Sequence, residues 1–423
     1  MLDINVIRDN LEALRAGAAK KHVKVDLDRL MDLDDERRRL IRLVEDAVAD
    51  QRRRSKALGK LSDEERQNEV ASLGELKEVI KRNEESLASV MVDFDALMLR
   101  VPNFPAEEVP EGKSDADNVE LYKVGEIPIS EFDRQDHVEL GANLGILDIE
   151  RGVKLSGARF YVLKGAGALL HRAVLEFAYQ HMIKKGFLPM EVPLLVRDPA
   201  MVGTAYYPGG EDQAYRMERD QLSLVGTAEV PVTAYRGGEI LDEAELPIRM
   251  VARSPCFRRE AGAAGKDTRG LYRIHQFEKV EQVVLMKNDE QASIEEHQSI
   301  LRNSEEVLQA LELPYRVVNV CGGDLGVPHV QKFDIETWMP SRGNYGETHS
   351  ASRFHDFQSR RLNIRYRDES KKKRFCHTLN NTVVASPRIL IPLLEFYQQK
   401  DGSVVVPDAL RPFMMGVEVI KPA

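Results

Sequence analysis

Cysteine is scarce in this sequence, which has 423 residues and only Cys256, Cys321 and Cys376. The three thiols are far apart, none belongs to a C-x-x-C pair, and their odd number does not suit a disulfide framework. A zinc site built from closely spaced thiolates is also disfavoured, so we expect no zinc. Such cysteine usage is typical of a protein of the reducing cytoplasm.

Long apolar runs are missing as well. No stretch of about 18 uncharged apolar residues occurs, which argues against a spanning helix and a membrane partner. Asp3, Arg8 and Asp9 near the N-terminus are not followed by the apolar segment of a signal peptide. The cytoplasm is therefore the expected location.

The sequence also lacks an excess of positive charge, since 60 Lys and Arg residues stand against 69 Asp and Glu residues and leave a formal charge of −9. The overall field does not attract nucleic acid, so any RNA contact must come from local basic clusters. At roughly 150 residues per domain, the length predicts two or more domains.

A heptad pattern is the first feature that the sequence does contain. The steps between its apolar residues alternate between three and four once Asn83 is included, which predicts a helical seam. The residues are Leu73, Leu76, Ile80, Leu87, Val90, Phe94, Leu97 and Val101. A weaker set upstream, with Arg37 in an apolar position, predicts a partner helix and comprises Leu30, Leu33, Leu40, Val44 and Ala47.

The segment between the two helices predicts a reversal of the chain. We expect Gly59 to end the first helix in the left-handed conformation, and Ser62 with Glu65 to form a capping box that starts the second. Arms of about 30 to 35 residues would extend roughly 45 to 55 Å into solvent. The prolines at 102 and 105 end the hairpin, which predicts an N-terminal domain at 1–105, a linker at 106–118 and a second domain at 119–423.

The second domain mixes helical and β-rich patterns. A helical pattern spans 168–185, and β-rich runs occupy 282–286 and 315–320. Regular βαβ alternation and a glycine-rich nucleotide fingerprint are absent, which favours an antiparallel sheet. We therefore predict an α+β protein in which an antiparallel coiled-coil hairpin precedes a domain built on an antiparallel β-sheet flanked by helices.

Charged and aromatic residues alternate around residues 257–281 as in a strand, a loop and a second strand. Every second side chain of a strand faces the same side. Arg258 and Glu260 can therefore share one face of the first strand, and Phe277, Lys279 and Glu281 can share one face of the second. A guanidinium, a flat ring and carboxylates on one wall suit the binding of a nucleotide. A solvated hairpin with cross-strand ion pairs is the alternative.

Three segments in order resemble the class II aminoacyl-tRNA synthetases. Residues 257–281 resemble motif 2, residues 186–196 after the helical pattern resemble motif 1, and residues 378–388 with the helix to Tyr397 resemble motif 3. Residues 226–231, 347–350, 356–361 and 401–407 are similar to phrases of the seryl-tRNA synthetase family, bacterial type. The likeness spans nearly the whole chain and implies a class II synthetase catalytic domain.

The resemblance implies an enzyme that uses ATP to activate L-serine as seryl-adenylate, releases pyrophosphate, and transfers serine to the 3'-terminal adenosine of tRNA(Ser) and also of tRNA(Sec). It implies that Arg258 and Arg388 grip the α- and γ-phosphates. The residues expected around ATP are Arg258, Arg259, Glu260, Ile274, Phe277, Glu347, Thr348, His349, Ser350 and Arg388. Glu347 and Ser350 would hold the Mg²⁺ that arrives with ATP.

The serine site implied by the same resemblance comprises Thr227, Ala228, Glu229, Arg258, Glu281 and Thr382. Glu281 and Thr382 would read the hydroxyl of serine, because a ligand without it strands two buried polar groups. Arg258, Glu281 and Arg388 are the expected catalytic residues.

Structural alternatives accompany several of these roles. Phe277 could belong to the core, and Glu281 could pair with Lys279 or Arg273. Arg258 could form a surface ion pair, and Arg388 could extend along a helix. His349 lacks partners at metal-ligand spacing, so we assign it no metal role.

Basic residues cluster on the first arm of the predicted hairpin. A solvated helix face is the usual explanation, but a long projection without a core of its own favours phosphate contacts with tRNA. The residues expected to bind tRNA are Arg38, Arg42, Arg52, Arg53, Arg54 and Lys56. The motif 1 resemblance implies a homodimer.

Two other functions would keep parts of this pattern. A paralogue without activity would keep the fold and the arm, but the charged residues of all three motifs are present. A ligase that loads an amino acid onto a carrier protein would have no use for the long arm.

Overall fold

The computed structural model describes residues 1–127, 130–262, 265, 267 and 269–422. The chain divides into two compact units. The smaller unit comprises Leu2–Ala19 and Val23–Pro102, and the larger unit comprises Met1, Lys20–His22 and the chain from Asn103 onward.

The smaller unit is helical, as the heptad pattern predicts. Its helices are α1 (Ile4–Asp9), α2 (Leu11–Lys20), α3 (Leu27–Ala57) and α4 (Asp63–Met98). The 31 residues of α3 and the 36 residues of α4 form the two arms of the predicted hairpin. The Asp26 carboxylate accepts from the Arg29 amide and caps the start of α3.

The seam between α3 and α4 follows the predicted apolar residues. Leu30, Leu33 and Leu40 of α3 are buried, and so are Ile80 and Phe94 of α4. The guanidinium of Arg37 lies 4.8 Å from the centroid of the Phe94 ring and donates to the Asp34 carboxylate at 2.7 Å. A cation–π contact and an ion pair therefore explain how an arginine fits in an apolar position.

The turn between the arms differs in part from the prediction. Gly59 lies in a short 3-10 helix at Leu58–Lys60 and does not have a positive φ, so the left-handed cap predicted there is wrong. The chain turns instead at Leu61, which is extended. The capping box is confirmed, because Glu65 Oε2 accepts from the amide of Ser62 at 3.0 Å and from its hydroxyl at 2.6 Å.

The larger unit contains the remaining elements. Its helices are α5 (His137–Asn143), α6 (Ile149–Ser156), α7 (Ala166–Lys184), α8 (Asp198–Gly203), α9 (Glu229–Ala234), α10 (Glu290–Ala310), α11 (Phe357–Leu362) and α12 (Leu390–Tyr397). Its strands are β1 (Val119–Val124), β2 (Leu147–Asp148), β3 (Val162–Leu163), β4 (Leu188–Met190), β5 (Leu195–Arg197), β6 (Arg216–Met217), β7 (Leu222–Leu224), β8 (Ile240–Asp242), β9 (Ile248–Phe257), β10 (Gln276–Met286), β11 (Tyr315–Asn319), β12 (Gln331–Met339), β13 (Asn344–Arg353), β14 (Arg365–Arg367), β15 (Lys373–Phe375), β16 (His377–Ser386), β17 (Val404–Val405) and β18 (Val419–Ile420).

An eight-stranded sheet organises this unit, in the order β1-β11-β12-β13-β16-β10-β9-β4. Its pairs are antiparallel except for β4 with β9, so the predicted α+β fold on an antiparallel sheet is confirmed. Val280 and Val284 of β10 join residues of α7 and α10 in the apolar core. Lys279 and Glu281 alternate with them and face the other side of the sheet, toward a cavity.

In the hairpin predicted around residues 257–281, both strands stop short of the loop by several residues of the sequence pattern. Strand β9 ends at Phe257 and strand β10 begins at Gln276, so Arg258 and Glu260 lie beyond the sheet. Glu260 has a φ of 51°, which places it in the left-handed region. Strand alternation therefore explains the wall formed by β10 and does not explain the positions of Arg258 and Glu260.

None of the helices in the described part of the chain is both long enough and apolar enough to cross a lipid bilayer.

Arg54 should hold the tip of the hairpin together. Its guanidinium donates to Glu69 at 2.6 Å and to Ser72 Oγ at 2.7 Å, both on α4. We expect Arg54→Ala to speed amide hydrogen exchange several-fold in the last turn of α3 and the first turns of α4. Arg53→Ala is the matched control, because Arg53 is exposed and pairs with Asp50 of its own helix. Equal exchange rates in the two variants would contradict the assignment.

Candidate active site

A cavity of about 330 Å³ lies on the polar face of the large sheet. Residues from motif 2, from strand β13 and from motif 3 meet on its wall. The expected site residues that line it are Glu229, Arg258, Glu260, Ile274, Phe277, Glu281, Glu347, Thr348, His349, Ser350, Thr382 and Arg388. Segments far apart in sequence are therefore brought to one place by the sheet.

Arg258 and Phe277 form one side of the cavity. The guanidinium carbon of Arg258 is 5.3 Å from the centroid of the Phe277 ring, and its Nε donates to the Gly226 carbonyl at 3.3 Å. The Arg258 amide donates to the His275 carbonyl at 3.0 Å, which fixes the residue just beyond the end of β9. The half-buried Phe277 ring thus lines the cavity, with Glu260 and Ile274 on the same wall.

Arg388 lies in motif 3, between the end of β16 and the start of α12. Its Nε donates to the Tyr272 carbonyl at 3.1 Å, and its Nη1 donates to the Glu347 carbonyl at 3.1 Å. The guanidinium carbon is 4.4 Å from the Tyr272 ring centroid. These contacts hold a positive charge at the cavity wall and leave the side chain one-quarter exposed.

A β-bulge places four consecutive residues of β13 on the cavity wall. Glu347 is opposite Glu336, and His349 is opposite Ile335, so Thr348 is the extra residue. Simple alternation would have turned Thr348 and Ser350 away from Glu347 and His349. The bulge instead allows all four side chains to contribute to the cavity.

The two titratable groups of this segment are driven in different directions. Desolvation raises the pKa of Glu347, but the charges of Arg388 and Lys332 outweigh it and hold the pKa below its usual value, which favours the carboxylate. Burial lowers the pKa of His349 to about 3, so its imidazole is neutral. Its Nδ1 is 2.7 Å from Thr348 Oγ1. In the described part of the chain no group of three His, Cys, Asp or Glu side chains has metal-binding geometry.

Glu281 and Thr382 face each other across strands β10 and β16. Thr382 Oγ1 lies 3.4 Å from Glu281 Oε2, and a bulge in the pairing makes this register possible. Lys279 Nζ is 2.5 Å from the same carboxylate oxygen and 3.4 Å from Thr382 Oγ1. The side chains of Lys279 and Glu281 are 8% and 2% exposed, so a carboxylate, an ammonium and a hydroxyl form one buried cluster. The ion pair with Lys279 that is the structural alternative for Glu281 is therefore present, and the Thr382 hydroxyl lies beside it.

Glu229 is a second buried carboxyl group in the cavity. Its Oε2 accepts from the Tyr206 hydroxyl at 3.1 Å, and its Oε1 accepts from Gln358 Nε2 at 2.8 Å. Burial and the charge of Glu281 raise the pKa of Glu229 to about 7, although both hydrogen bonds favour the ionised form.

Three expected site residues do not lie on the cavity wall. Thr227 is fully buried and its hydroxyl accepts from the Glu229 amide at 3.1 Å, so it supports the start of α9. Ala228 belongs to an apolar core cluster. Arg259 is exposed, with its guanidinium 5.6 Å from the Tyr215 ring.

Several cavity residues were not predicted. They are Tyr206, Leu271, Tyr272, Lys279, His329, Lys332, Ser352, Asn380, Ala385 and Ser386. Lys279 could have been predicted as a site residue, because strand alternation places it on the same face as Phe277 and Glu281. Lys332 and His329 come from a region without a recognised motif. The pairing of Lys332 with Ser352 in strands β12 and β13 brings Lys332 to the cavity, and His329 lies just before β12.

The basic residues of α3 separate into two groups. At about 100° per residue, one sector of roughly 100° contains Arg38, Arg42, Arg52, Arg53 and Lys56, and Arg54 points away from it. Arg54 instead bonds to Glu69 and Ser72 of α4. The donors of Arg54 are therefore engaged within the hairpin, and its role in tRNA binding stays a prediction.

Family models match both parts of the chain. The model described as tRNA synthetase class II core domain (G, H, P, S and T) matches residues 214–397. The model described as Seryl-tRNA synthetase N-terminal domain matches residues 1–105.

Full-length proteins resemble the chain as well. It is 46% identical over 420 residues to the serine–tRNA ligase of Deinococcus radiodurans, with 99% of each chain covered. It is 43% identical to the serine–tRNA ligase of Rubrobacter xylanophilus, with 100% of each covered.

Solved structures agree with these relatives. The seryl-tRNA synthetase of Pyrococcus horikoshii complexed with ATP matches with a TM-score of 0.93 at 37% identity, covering 100% of both chains. The cytoplasmic serine–tRNA ligase of Naegleria fowleri in complex with AMP matches with a TM-score of 0.88 at 32% identity, covering 100% of this chain and 99% of the other. From this full-length similarity and the shared arrangement of motifs, the chain belongs to the seryl-tRNA synthetase family of class II aminoacyl-tRNA ligases.

Proposed function

We propose that this protein activates L-serine with ATP and transfers it to tRNA(Ser), and also to tRNA(Sec). The observation that carries the proposal is the cavity in which Arg258 and Arg388 lie with the buried cluster of Lys279, Glu281 and Thr382. Cations suit the phosphates of ATP, and the polar cluster suits a small hydroxylated amino acid. The similar proteins named serine–tRNA ligase, and the related structures with ATP or AMP, support the same function.

The first step would form seryl-adenylate. A carboxylate oxygen of serine attacks the α-phosphorus of ATP, and the bond to the β-phosphate oxygen breaks to release pyrophosphate. Arg258 is placed to neutralise the charge that builds on the α-phosphate, since its guanidinium lies in the cavity beside Phe277. In the second step the terminal hydroxyl of the tRNA attacks the seryl carbonyl, and AMP leaves.

The remaining ATP contacts follow from the same geometry. The Phe277 ring offers a flat surface for adenine, while Glu260 and Ile274 lie on that wall. Arg388 would hold the γ-phosphate, because hydrogen bonds to the carbonyls of Tyr272 and Glu347 fix its guanidinium at the cavity wall. Thr348 and His349 are neighbours of this region, and the neutral imidazole of His349 adds no charge.

The oxygen groups of β13 fit Mg²⁺. Glu347 is kept ionised by Arg388 and Lys332, and Ser350 adds a hydroxyl on the same wall. Mg²⁺ prefers such hard oxygen ligands and takes the others from water and substrate phosphates. When bound with ATP it would neutralise phosphate charge, and Glu347 and Ser350 would hold it.

Serine would be recognised at both ends. Glu229 is a buried carboxyl group that can receive the α-ammonium, and Glu281 with Thr382 can bond the hydroxyl. Alanine has no hydroxyl to bond with Glu281 and Thr382, and a site built to bond that hydroxyl favours serine by a factor on the order of 10⁴. Threonine would be excluded by the lack of room for its methyl group.

A pyrophosphate-exchange assay tests this recognition. We expect exchange with serine and Mg²⁺ far faster than with alanine or threonine. Glu281→Ala should raise the KM for serine strongly and leave the KM for ATP within about twofold, since the phosphate and adenine contacts belong to other residues. Glu278→Gln is the control, because Glu278 lies on the opposite face of β10 and pairs with Arg253. Equal rates with alanine, or a parallel loss of ATP affinity, would contradict the assignment.

We also propose that the protein is a homodimer that pairs through the motif 1 region. Apolar side chains are exposed there, with Leu188 at 54%, Leu195 at 40% and Tyr235 at 58%. Leu195 and Tyr235 line an apolar depression together with Pro193. A closed dimer would cover this surface by an isologous contact.

Light scattering tests the dimer. We expect a mass of twice 47.9 kDa. Leu188→Glu should shift the protein toward the monomer, because it would bury a charge in the interface. Leu155→Glu is the control, as Leu155 is 76% exposed on α6. An active protein with the mass of one chain would refute the proposal.

Residues 1–105 are proposed as the tRNA-binding domain, residues 106–118 as a linker and residues 119–423 as the catalytic domain, all in the cytoplasm. The observation that supports an RNA-binding arm is the basic sector of α3, which faces away from the seam in a protein of net charge −9. Its members Arg42, Arg52, Arg53 and Lys56 are exposed, and Arg38 is partly so. The long arm also argues against a ligase that loads a carrier protein. The presence of the expected catalytic residues in the cavity argues against an inactive paralogue.

Salt dependence of tRNA binding tests the arm. Replacing Arg52, Arg53 and Lys56 with alanine should weaken binding and lower the log–log salt slope by roughly one unit for each phosphate that is no longer neutralised, while serine activation is kept. The control replaces Lys77, Lys81 and Arg82 of α4, which removes the same charge from the same hairpin. Point variants are preferable to truncation, since Lys21 belongs to the larger unit and donates to the Val327 carbonyl at 3.2 Å. An unchanged slope and KM for tRNA would mean that the sector is only solvated.

A further inference from the structure

The serine-type phrase at 356–361 contributes no side chain to the cavity wall. Its Gln358 lies in α11 and is fully buried. Buried glutamine side chains need partners for both ends of the amide, because an unpaired polar group costs stability. The partners of Gln358 connect it to Glu229.

Three hydrogen bonds fix this amide. Gln358 Nε2 donates to Glu229 Oε1 at 2.8 Å and to the Thr204 carbonyl at 3.3 Å. Gln358 Oε1 accepts from the Thr378 hydroxyl at 2.7 Å. Because a backbone carbonyl can only accept, the contact with Thr204 requires the nitrogen of the amide to face Glu229. The carboxyl group therefore always meets a donor from this side.

The surroundings of Glu229 make that donor important. Burial and the nearby charge of Glu281 raise the pKa of Glu229 to about 7, and the hydrogen bond from Gln358 opposes the rise. The charge of Lys279, which is also on β10, and the hydrogen bond from the Tyr206 hydroxyl lower the pKa of Glu229 as well. Arg258 is the remaining positive charge near Tyr206. This carboxyl group therefore changes its charge close to neutral pH.

We propose that Gln358 is a positioning residue that keeps the Glu229 carboxylate ionised and aimed at the α-ammonium of serine, with Thr378 holding the amide in place. This inference rests on the proposed function, in which Glu229 receives the ammonium. An amide N–H stabilises a carboxylate more than a neutral carboxyl group, so its loss weakens binding of a cation at that carboxyl.

The direction of the expected pH shift follows from the charge of Glu229 in the form that binds serine. Glu229 binds an ammonium when it is ionised, and loss of the Gln358 donor raises its pKa further. The form that binds serine is then lost at a higher pH as the solution is acidified. At pH values well above the raised pKa, the carboxylate is ionised in both proteins and the difference narrows.

The test compares Gln358→Met with the unaltered full-length protein in serine-dependent pyrophosphate exchange between pH 6 and 9. Methionine has a similar length and no N–H donor. A hydrogen bond to a charged group is worth on the order of a factor of ten, so the KM for serine at pH 7 should rise about tenfold. The acid limb of kcat/KM for serine should move upward by about one pH unit, while the KM for ATP stays within about twofold.

Gln282→Met is the matched control. Gln282 is also fully buried and its Nε2 donates to a backbone carbonyl, that of Ile300, at 2.9 Å. It bonds to α10 and is not on the cavity wall, so its loss should lower thermal stability without moving the acid limb. A Gln358→Met protein that behaves like this control would overturn the proposal, because Gln358 would then have only a structural role.

A second pair of variants covers the case in which Gln358→Met does not fold. Thr378→Val removes the donor to Gln358 Oε1 and should move the acid limb upward by a smaller amount, whereas Thr378→Ser should restore the original profile. Identical profiles for these two variants would overturn the inference. If the unaltered protein shows no exchange with serine, the proposed function itself fails. Exchange in that protein with unchanged variants rejects only the role of Gln358.

Discussion

Charge buried on one face of the antiparallel sheet is the constraint on which the larger unit depends. Lys279 and Glu281 are almost inaccessible to solvent, and either one alone would carry a large desolvation penalty. They are tolerated because they pair with each other and because Thr382 contributes a hydroxyl from the next strand. The register of β10 against β16 is therefore tied to the chemistry of the cavity floor.

One face of the sheet packs in the apolar core, and the other face lines the cavity. Val280 and Val284 pack against helices on one side, and this dense packing limits how far the strands can move. Lys279 and Glu281 are consequently held in fixed positions on the other side. Bulges in β13 and in the β10–β16 pair break the alternation where more polar side chains are needed than the pleat alone would supply.

Charges in the two units differ in whether they already have partners. In the cavity, Arg388 is held by the carbonyls of Tyr272 and Glu347 but still faces open space that a phosphate can occupy. On the hairpin, Arg54 is engaged by Glu69, whereas Arg52 two residues earlier is exposed. Neighbouring residues of the same type therefore have different surroundings, because the helical period turns them to different sides.

Local periodicity and recognisable motifs in the sequence were enough to predict several elements and the family. The heptads predicted the hairpin, Ser62 with Glu65 predicted the start of α4, and alternation predicted the face shared by Phe277, Lys279 and Glu281. These features depend on spacing along one segment, which a sequence displays directly. The resemblance to class II synthetases added the family and most of the cavity residues.

Which residues meet across segments is a property of the folded chain alone. Lys332 reaches the cavity through the pairing of β12 with β13. Thr227 supports a helix although it belongs to a recognised phrase, and Gln358 contacts Glu229 from 129 residues away. The left-handed conformation predicted at Gly59 is wrong, because the chain reverses there through a 3-10 turn. Contacts of this kind depend on strand register, bulges and helix packing, which are set by the whole fold and leave no local spacing in the sequence.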